Sequence, residues 1–203
     1  VGIITFDDIL DVIEEENTED MERMGGVIDN TDKDYLDTSV LMHVKARLPW
    51  LLVLMVSYVF TGGMIANFEK SLSAVIALVS YMPMLMGTGG NSGTQSSTVI
   101  ITSMAMGDLE LSDIARVLWK EFRIGIIVGI CVSVLNYMRI VAFDHNGSMV
   151  ALTVCFSMVM IVVIAKCIGA ILPMIAKKIG IDPALIAGPM MASLTDMVAL
   201  GTY

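Results

Sequence analysis

From Leu48 onward, long apolar runs alternate with short polar breaks, and the runs have the length of a bilayer crossing. Leu48 to Phe68, Phe122 to Phe143, Val150 to Leu172 and Ala184 to Tyr203 each supply about the 20 residues a helix needs to span the hydrocarbon core. The remaining segment, Ser71 to Met106, is too long for one straight crossing and too short for two with a turn between them. Upstream the pattern is different. "VGIIT" predicts a short β-strand and "TFDDILDVIEEE" a helix, with Thr5 and Asp8 at capping-box spacing and Ile9, Val12 and Ile13 as its apolar stripe. Residues 17 to 40, punctuated by "GG" and "DNTDKD", read as a polar linker. From Asp37 onward Val40, Leu41 and Val44 alternate with His43, Lys45 and Arg47, which suits either an amphipathic helix leading into the membrane or a solvated connector.

Composition agrees with membrane residence, since 56% of the 203 residues are hydrophobic. The net charge of −9 is unevenly spread: residues 1 to 37 hold thirteen of the twenty-one acids against two bases, Arg23 and Lys33. An acidic segment therefore precedes an apolar, slightly basic body, and no nucleic-acid partner is expected. One strand and one helix cannot bury a core, so residues 1–26 read as the end of a soluble domain whose remainder is absent.

Charge also decides the number of crossings. If Ser71 to Met106 crosses once, Arg23, Lys33, Lys45, Arg47, Arg116, Lys120, Arg123, Lys177 and Lys178 share one side, and only Lys70 and Arg139 lie opposite. By the positive-inside rule this places the amino terminus in the cytoplasm. Two crossings would send five of those bases outside. The sequence thus predicts an all-α membrane protein with five transmembrane helices, the second long and broken.

The break is expected at "GTGGNSGTQ", residues 87 to 95. Irregular backbone at membrane depth survives only where protein covers it or it lines water, so this stretch should face inward. It is a poor phosphate loop: Ser92 stands where G-x-G-x-x-G needs glycine, and no lysine follows. Gly89 and Gly93 also satisfy G-x-x-x-G, so close helix packing stands beside a polar pore lining as an alternative. The pore reading takes Gly87, Gly89, Gly90, Asn91, Gly93 and Thr94 as lining residues.

Asp196 is the residue that separates these readings. It lies fourteen residues past Asp182, about 21 Å along a helix, well inside the bilayer. A carboxylate there is costly unless it meets water, a cation or a partner, and marks a functional site by default. Ser193 and Ala192 share its face and are small, and Pro189 has no N–H to offer the carbonyl of Leu185. Oxygen ligands suit a hard cation. The competing readings are a protonated acid at a helix interface and a salt bridge to Lys166, a residue otherwise placed to snorkel. Gly188 completes the small-residue lining on this segment.

Other residue types point nowhere. Cys131, Cys155 and Cys167 lie in apolar runs without ligand spacing and read as small buried hydrophobes; His43 and His145 have no partner; the eighteen methionines are scattered. No span contains a histidine or a second central acid, so an intramembrane protease is disfavoured and no enzymatic activity is expected.

These motifs carry a resemblance. "RLPWLLVL", "FEKSLSAVIALVSYMPMLMGTGGNSGTQSSTVI", "DLELSDIARVLWKEFRIGIIVGI" and "IGIDPALIAGPMMASLTDMVAL" together resemble the membrane domain of the MgtE family of magnesium channels. The resemblance implies a homodimer in the inner, plasma membrane of a prokaryote, with a central pore lined by the second and fifth transmembrane helices. It implies Mg²⁺ as both transported ion and regulator, and leaves Mn²⁺ or Ca²⁺ as possible occupants of the site. Residues 1–26 then correspond to the end of a CBS regulatory domain, 27–47 to a connecting plug helix and 48–203 to the pore domain, with the remaining cytoplasmic domains missing. Position by position it implies Asp196 as the pore acid, Ala192 and Gly90 as carbonyls facing the hydrated ion, and Asp182 and Asp37 as gating acids. Gly188 and Thr94 depart from the pattern, standing where a family member carries asparagine. An ion-coupled divalent-cation carrier and a non-transporting membrane sensor remain as alternative functions.

Overall fold

A computed structural model describes residues 4–28, 35–73, 76–144 and 148–202, and among these every regular element is helical. Val1 to Ile3 of the expected strand lie outside the described residues, as do Asp29, Asp32, Asp34, His145 and Tyr203. Helix α1 (Phe6–Met24) starts where its capping box predicts: the Asp8 amide donates to Thr5 Oγ1 at 3.3 Å, and the Thr5 amide donates to Asp8 at 2.8 Å. It runs through 17–24, correcting the linker expected there, because nothing breaks the helix before Gly25 and Arg23 pairs with Glu19 one turn back. Gly26, at φ 73°, then reverses the chain against the indole of Trp50, where any side chain would collide with the ring.

Helix α2 (Val40–Ser73) is continuous from the amphipathic segment through Pro49 into the first apolar run. The short α3 (Ile76–Val79) leads to α4 (Met82–Ala105), which starts with Pro83 in its first turn, where a missing N–H costs nothing. The break expected at residues 87–95 is therefore at Ser80 and Tyr81, and the glycine stretch is regular helix. In apolar surroundings the helix itself is the only source of partners for those N–H and C=O groups, and this outweighs about 1 kcal/mol of lost propensity per glycine.

Helix α5 (Ile114–Arg139) ends in a π-helical turn (Ile140–Asp144), and α6 (Ser148–Ile179) returns antiparallel to it. The last apolar run is the one whose helix is interrupted: α7 (Ala184–Ala187) stops at Gly188, whose φ −95° and ψ −105° are not helical, and α8 (Pro189–Thr202) begins at once. Among the described residues four helical segments, Val40–Ala66, Leu111–Asp144, Ser148–Ile179 and Ala184–Thr202, are long and apolar enough to cross a membrane. The length of α4 would also suffice, but its glycines, serines and threonines leave it less apolar.

α6 is the hub. It packs between α4 and α5, while α8 lies on α4, α2 and α6. Ile161, Val162, Met158 and Val154 of α6 are buried with Leu85, Tyr81 and Ala199 around them. Small residues bring the backbones together: a Cβ on Gly125 or Gly129 of α5 would sit 2.9 Å from Val163 Cα or 3.1 Å from Val159 Cα, and one on Gly169 of α6 would strike the Gly93 carbonyl of α4. The outer faces of α2 and α5 are apolar and exposed, among them Leu51, Val59, Phe60, Ile127 and Leu135, and so is Cys131, expected to be buried. The end of the bundle holding the N-terminus of α4 and the C-terminal turn of α5 is clasped by Tyr81, whose hydroxyl donates to Asp144 at 2.8 Å, with Arg139 pairing the same acid at 3.2 Å.

Gly169→Ala should cost about 1–3 kcal/mol by forcing two backbones apart. That is a fall in melting temperature of about 2–4 °C per kcal/mol for the detergent-solubilised protein, whereas Gly87→Ala, which meets open space and recovers up to about 1 kcal/mol of helix propensity, should hold the melting temperature or raise it by a few degrees.

Candidate cation site

The glycine stretch is divided by the helix that carries it. Gly89, Gly90 and Gly93 turn toward α8 and α6: a Cβ on Gly90 would lie 3.8 Å from Ala192 Cα and 3.6 Å from Thr195 Oγ1, and one on Gly93 would lie 3.0 Å from the Thr195 methyl. Gly87, Asn91 and Thr94, at i−3, i+1 and i+4 from Gly90, lie on the neighbouring flank of α4; Gly87 and Asn91 are exposed and Thr94 is half-buried. The structure thus packs Gly90 against Ala192, whereas a Cβ on Gly87 would meet nothing within 4 Å. Thr195, fully buried, was missed by the sequence reading; its hydroxyl donates to the carbonyls of Met191 and Ala192, each at 2.9 Å. Its i−4 and i−3 spacing to those carbonyls was the available signal.

Asp196 follows Thr195 on α8, one helical turn beyond Ala192. It is half-buried and makes no hydrogen bond or ion pair among the described residues. Ser193 beside it is buried and Ala192 half-buried. Among the described residues no three His, Cys, Asp or Glu side chains cluster as a metal cage. One chain therefore supplies a single carboxylate with small neighbours, enough to hold a hydrated ion through its waters but not to strip it.

Lys166 does not snorkel and does not reach Asp196. It is 5% exposed, and its ammonium donates to Ser96 Oγ at 3.4 Å, while that hydroxyl donates to Glu121 at 2.6 Å. A second acid inside the membrane body makes this inward orientation favourable, and the apolar residues around Lys166 gave no sign of it.

A family profile described as "Divalent cation transporter", MgtE, matches residues 82–203, more than half the chain. The chain belongs to the MgtE family. It is 40% identical over its whole length to the magnesium transporter MgtE of Thermus thermophilus, 35% to that of Bacillus subtilis and 31% to that of Enterococcus faecalis. The chain spans 44% of the length of each of these relatives.

A second acidic group in this MgtE-family chain lies where α1 meets α7. Asp182, placed next to the N-terminus of α7 with its carboxylate accepting from the Ala184 amide at 2.8 Å, is bound by Arg23, which also holds Glu19. The main chain of Met24 presses against Gly188, so the end of α1 is seated on the interruption before α8. Asp37 is exposed and no contact joins it to Asp182 among the described residues. Burial, and then the neighbouring Asp182, push the Asp20 carboxyl above its ordinary range. Burial lowers the Arg23 guanidinium, and the carboxylates of Asp182, Glu19 and Asp20 together more than reverse that.

Because the docked pKa of Asp20 is raised, docking is favoured with Asp20 protonated and weakens as pH rises through that value. Asp20→Asn should remove this dependence and slow hydrogen exchange of the α1 amides near neutral pH about two- to fivefold, the range of a partly screened charge pair.

Proposed function

We propose that this chain carries Mg²⁺ across the membrane as a hydrated ion, through a pore on the two-fold axis of a homodimer lined by α4 and α8. In this reading α4 is also a crossing, the second in chain order, which brings the count to five; the amino terminus is cytoplasmic, and the membrane is the plasma membrane of a prokaryote. The observation that carries the reading is Asp196: a half-buried carboxylate in a membrane helix with no partner among the described residues, one turn past the point where Ala192 lies against Gly90. An acid so placed costs about 2.5–3.5 kcal/mol on insertion scales, and a divalent cation or its water is what offsets that cost. Membership of a divalent-cation transporter family and similarity to three magnesium transporters support the choice of ion.

The chemistry follows from the charge and hydration of the ion. Mg²⁺ is small, prefers six oxygens at about 2.0–2.1 Å and gives up water reluctantly, so two carboxylates, one from each copy, would hold it through its shell. Two negative charges favour a divalent over a monovalent ion while leaving it free to move on. Direct carboxylate coordination would favour Mn²⁺, and retention of the water shell weakens that preference.

Regulation has a place in the same reading. Glu19, Asp20 and Asp182 surround one cation, Arg23, where α1 seats against α7. Cytoplasmic Mg²⁺ bridging these acids would hold α1 on the mouth of the pore and keep it shut. The regulatory domains implied by the family would lie in the portion of the relatives that this chain does not span.

Asp196→Asn tests the central claim in liposomes loaded with a magnesium-sensitive dye. Uptake by the unsubstituted protein should be lost in the variant while gel filtration still shows a dimer; equal uptake by both would remove Asp196 from the path.

A further inference from the structure

The large buried side chains of α4, Leu85 before the glycines and Ile100, Ile101 and Met104 after them, lie toward its two ends. Between them Gly89, Gly90 and Gly93 lie against Ile161, Ala192, Thr195 and Met191, and these middle turns have few knobs of their own to fix the rotation of the helix about its axis. Asn91, Thr94, Thr98 and Val99 of α4 line a groove of about 1080 Å³ between α4 and α5, in which Glu121 and Lys166 also take part. A turn of α4 by one residue, about 100°, would change which of these side chains open into the groove.

Ser96 is the fixed point. Its hydroxyl is 2.6 Å from a Glu121 oxygen on α5 and 3.4 Å from the Lys166 ammonium on α6, and all three residues are at least nine-tenths buried. Two opposite charges from two different helices thus converge on one oxygen of a third. Ser96 donates to the carboxylate and accepts from the ammonium, a pattern that a hydroxyl satisfies in one orientation. Rotation of α4 would pull that oxygen away and leave both charges without it in a medium of low dielectric, where an unmatched charge is far costlier than in water.

We infer that Glu121 and Lys166 are positioning residues that set the rotation of α4 through Ser96, and so decide which side chains of α4 face the groove and the proposed pore. The inference rests on the reading of α4 as a pore helix only for its effect on transport; the effect on orientation stands apart from it. The two charges act as a matched pair, so removing one is worse than removing both.

The test uses a background with Cys131, Cys155 and Cys167 replaced by alanine, carrying either Thr98→Cys, at a half-buried position, or Val99→Cys, at an exposed one, as reporters about 100° apart on the groove-lining side of α4. Labelling by a charged, membrane-impermeant thiol reagent and Mg²⁺ uptake are measured in the same liposomes. Glu121→Gln or Lys166→Met alone should change the ratio of labelling at 98 to that at 99 and lower uptake about tenfold or more. The double variant Glu121→Gln/Lys166→Met should return both towards the parent. Should a single variant not fold, Ser96→Ala, which removes the shared hydroxyl at little change in volume, should shift the labelling ratio, and Ser96→Thr should not. Labelling ratios unchanged in the single variants and in Ser96→Ala, or a double variant as impaired as either single one, would overturn the inference. Shifted labelling in a protein that never takes up Mg²⁺ would uphold the positioning role and count against transport, while uptake that is present and indifferent to every variant would do the reverse.

Discussion

Lipid offers no hydrogen bonds, and this constraint shapes each unusual feature of the chain. It drives the glycine stretch into regular helix, because residues 87–95 have no other source of partners for their backbone groups. It gathers Ser96, Glu121 and Lys166 into one contact, since none could face acyl chains alone. It also makes the interruption at Gly188 conspicuous, where the helical ladder fails and the main chain of Met24 comes to lie against it. Among the described residues Asp196 is left without a side-chain partner in the same surroundings, which is why the functional reading rests on it.

The hub position of α6 follows from small residues at crossings. Gly169 admits the Gly93 carbonyl, and Val159 and Val163 receive the bare backbone of α5 at Gly129 and Gly125. In a membrane, where apolar burial does not distinguish a neighbouring helix from lipid, such close backbone approach is a principal source of cohesion. One consequence is that the middle turns of α4, between Leu85 and Ile100, meet α6 and α8 through small residues. Such a stretch permits close approach without specifying rotation, and polar contacts add what packing there does not.

The family and the candidate residues of the site were legible in residue types and spacing. Apolar runs gave four of the long helices, the Thr5–Asp8 spacing gave the start of α1, and a lone acid within an apolar run singled out Asp196. That Gly90 packs against Ala192 is a finding of the structure. Other expectations failed for a shared reason, that they depended on what lay across the bundle. Lys166 read as a snorkelling lysine because its own helix shows only apolar neighbours, and Glu121, forty-five residues earlier, is invisible from there. Asp182 was read only as a gating acid, because Arg23, which the continuation of α1 through residues 17–24 delivers to it, lies 159 residues away in sequence.

Sequence alone determined which segments are helical and apolar, where α1 begins, and that one carboxylate sits deep in the last crossing. These depend on periodicity, capping and hydropathy, properties read within a dozen residues. Tertiary structure decided that the glycines pack as helix, that the interruption falls at Gly188, and that two opposite charges share Ser96. Each is the outcome of a competition between helices for the few polar partners a bilayer leaves available, and that competition has no signature in any one segment.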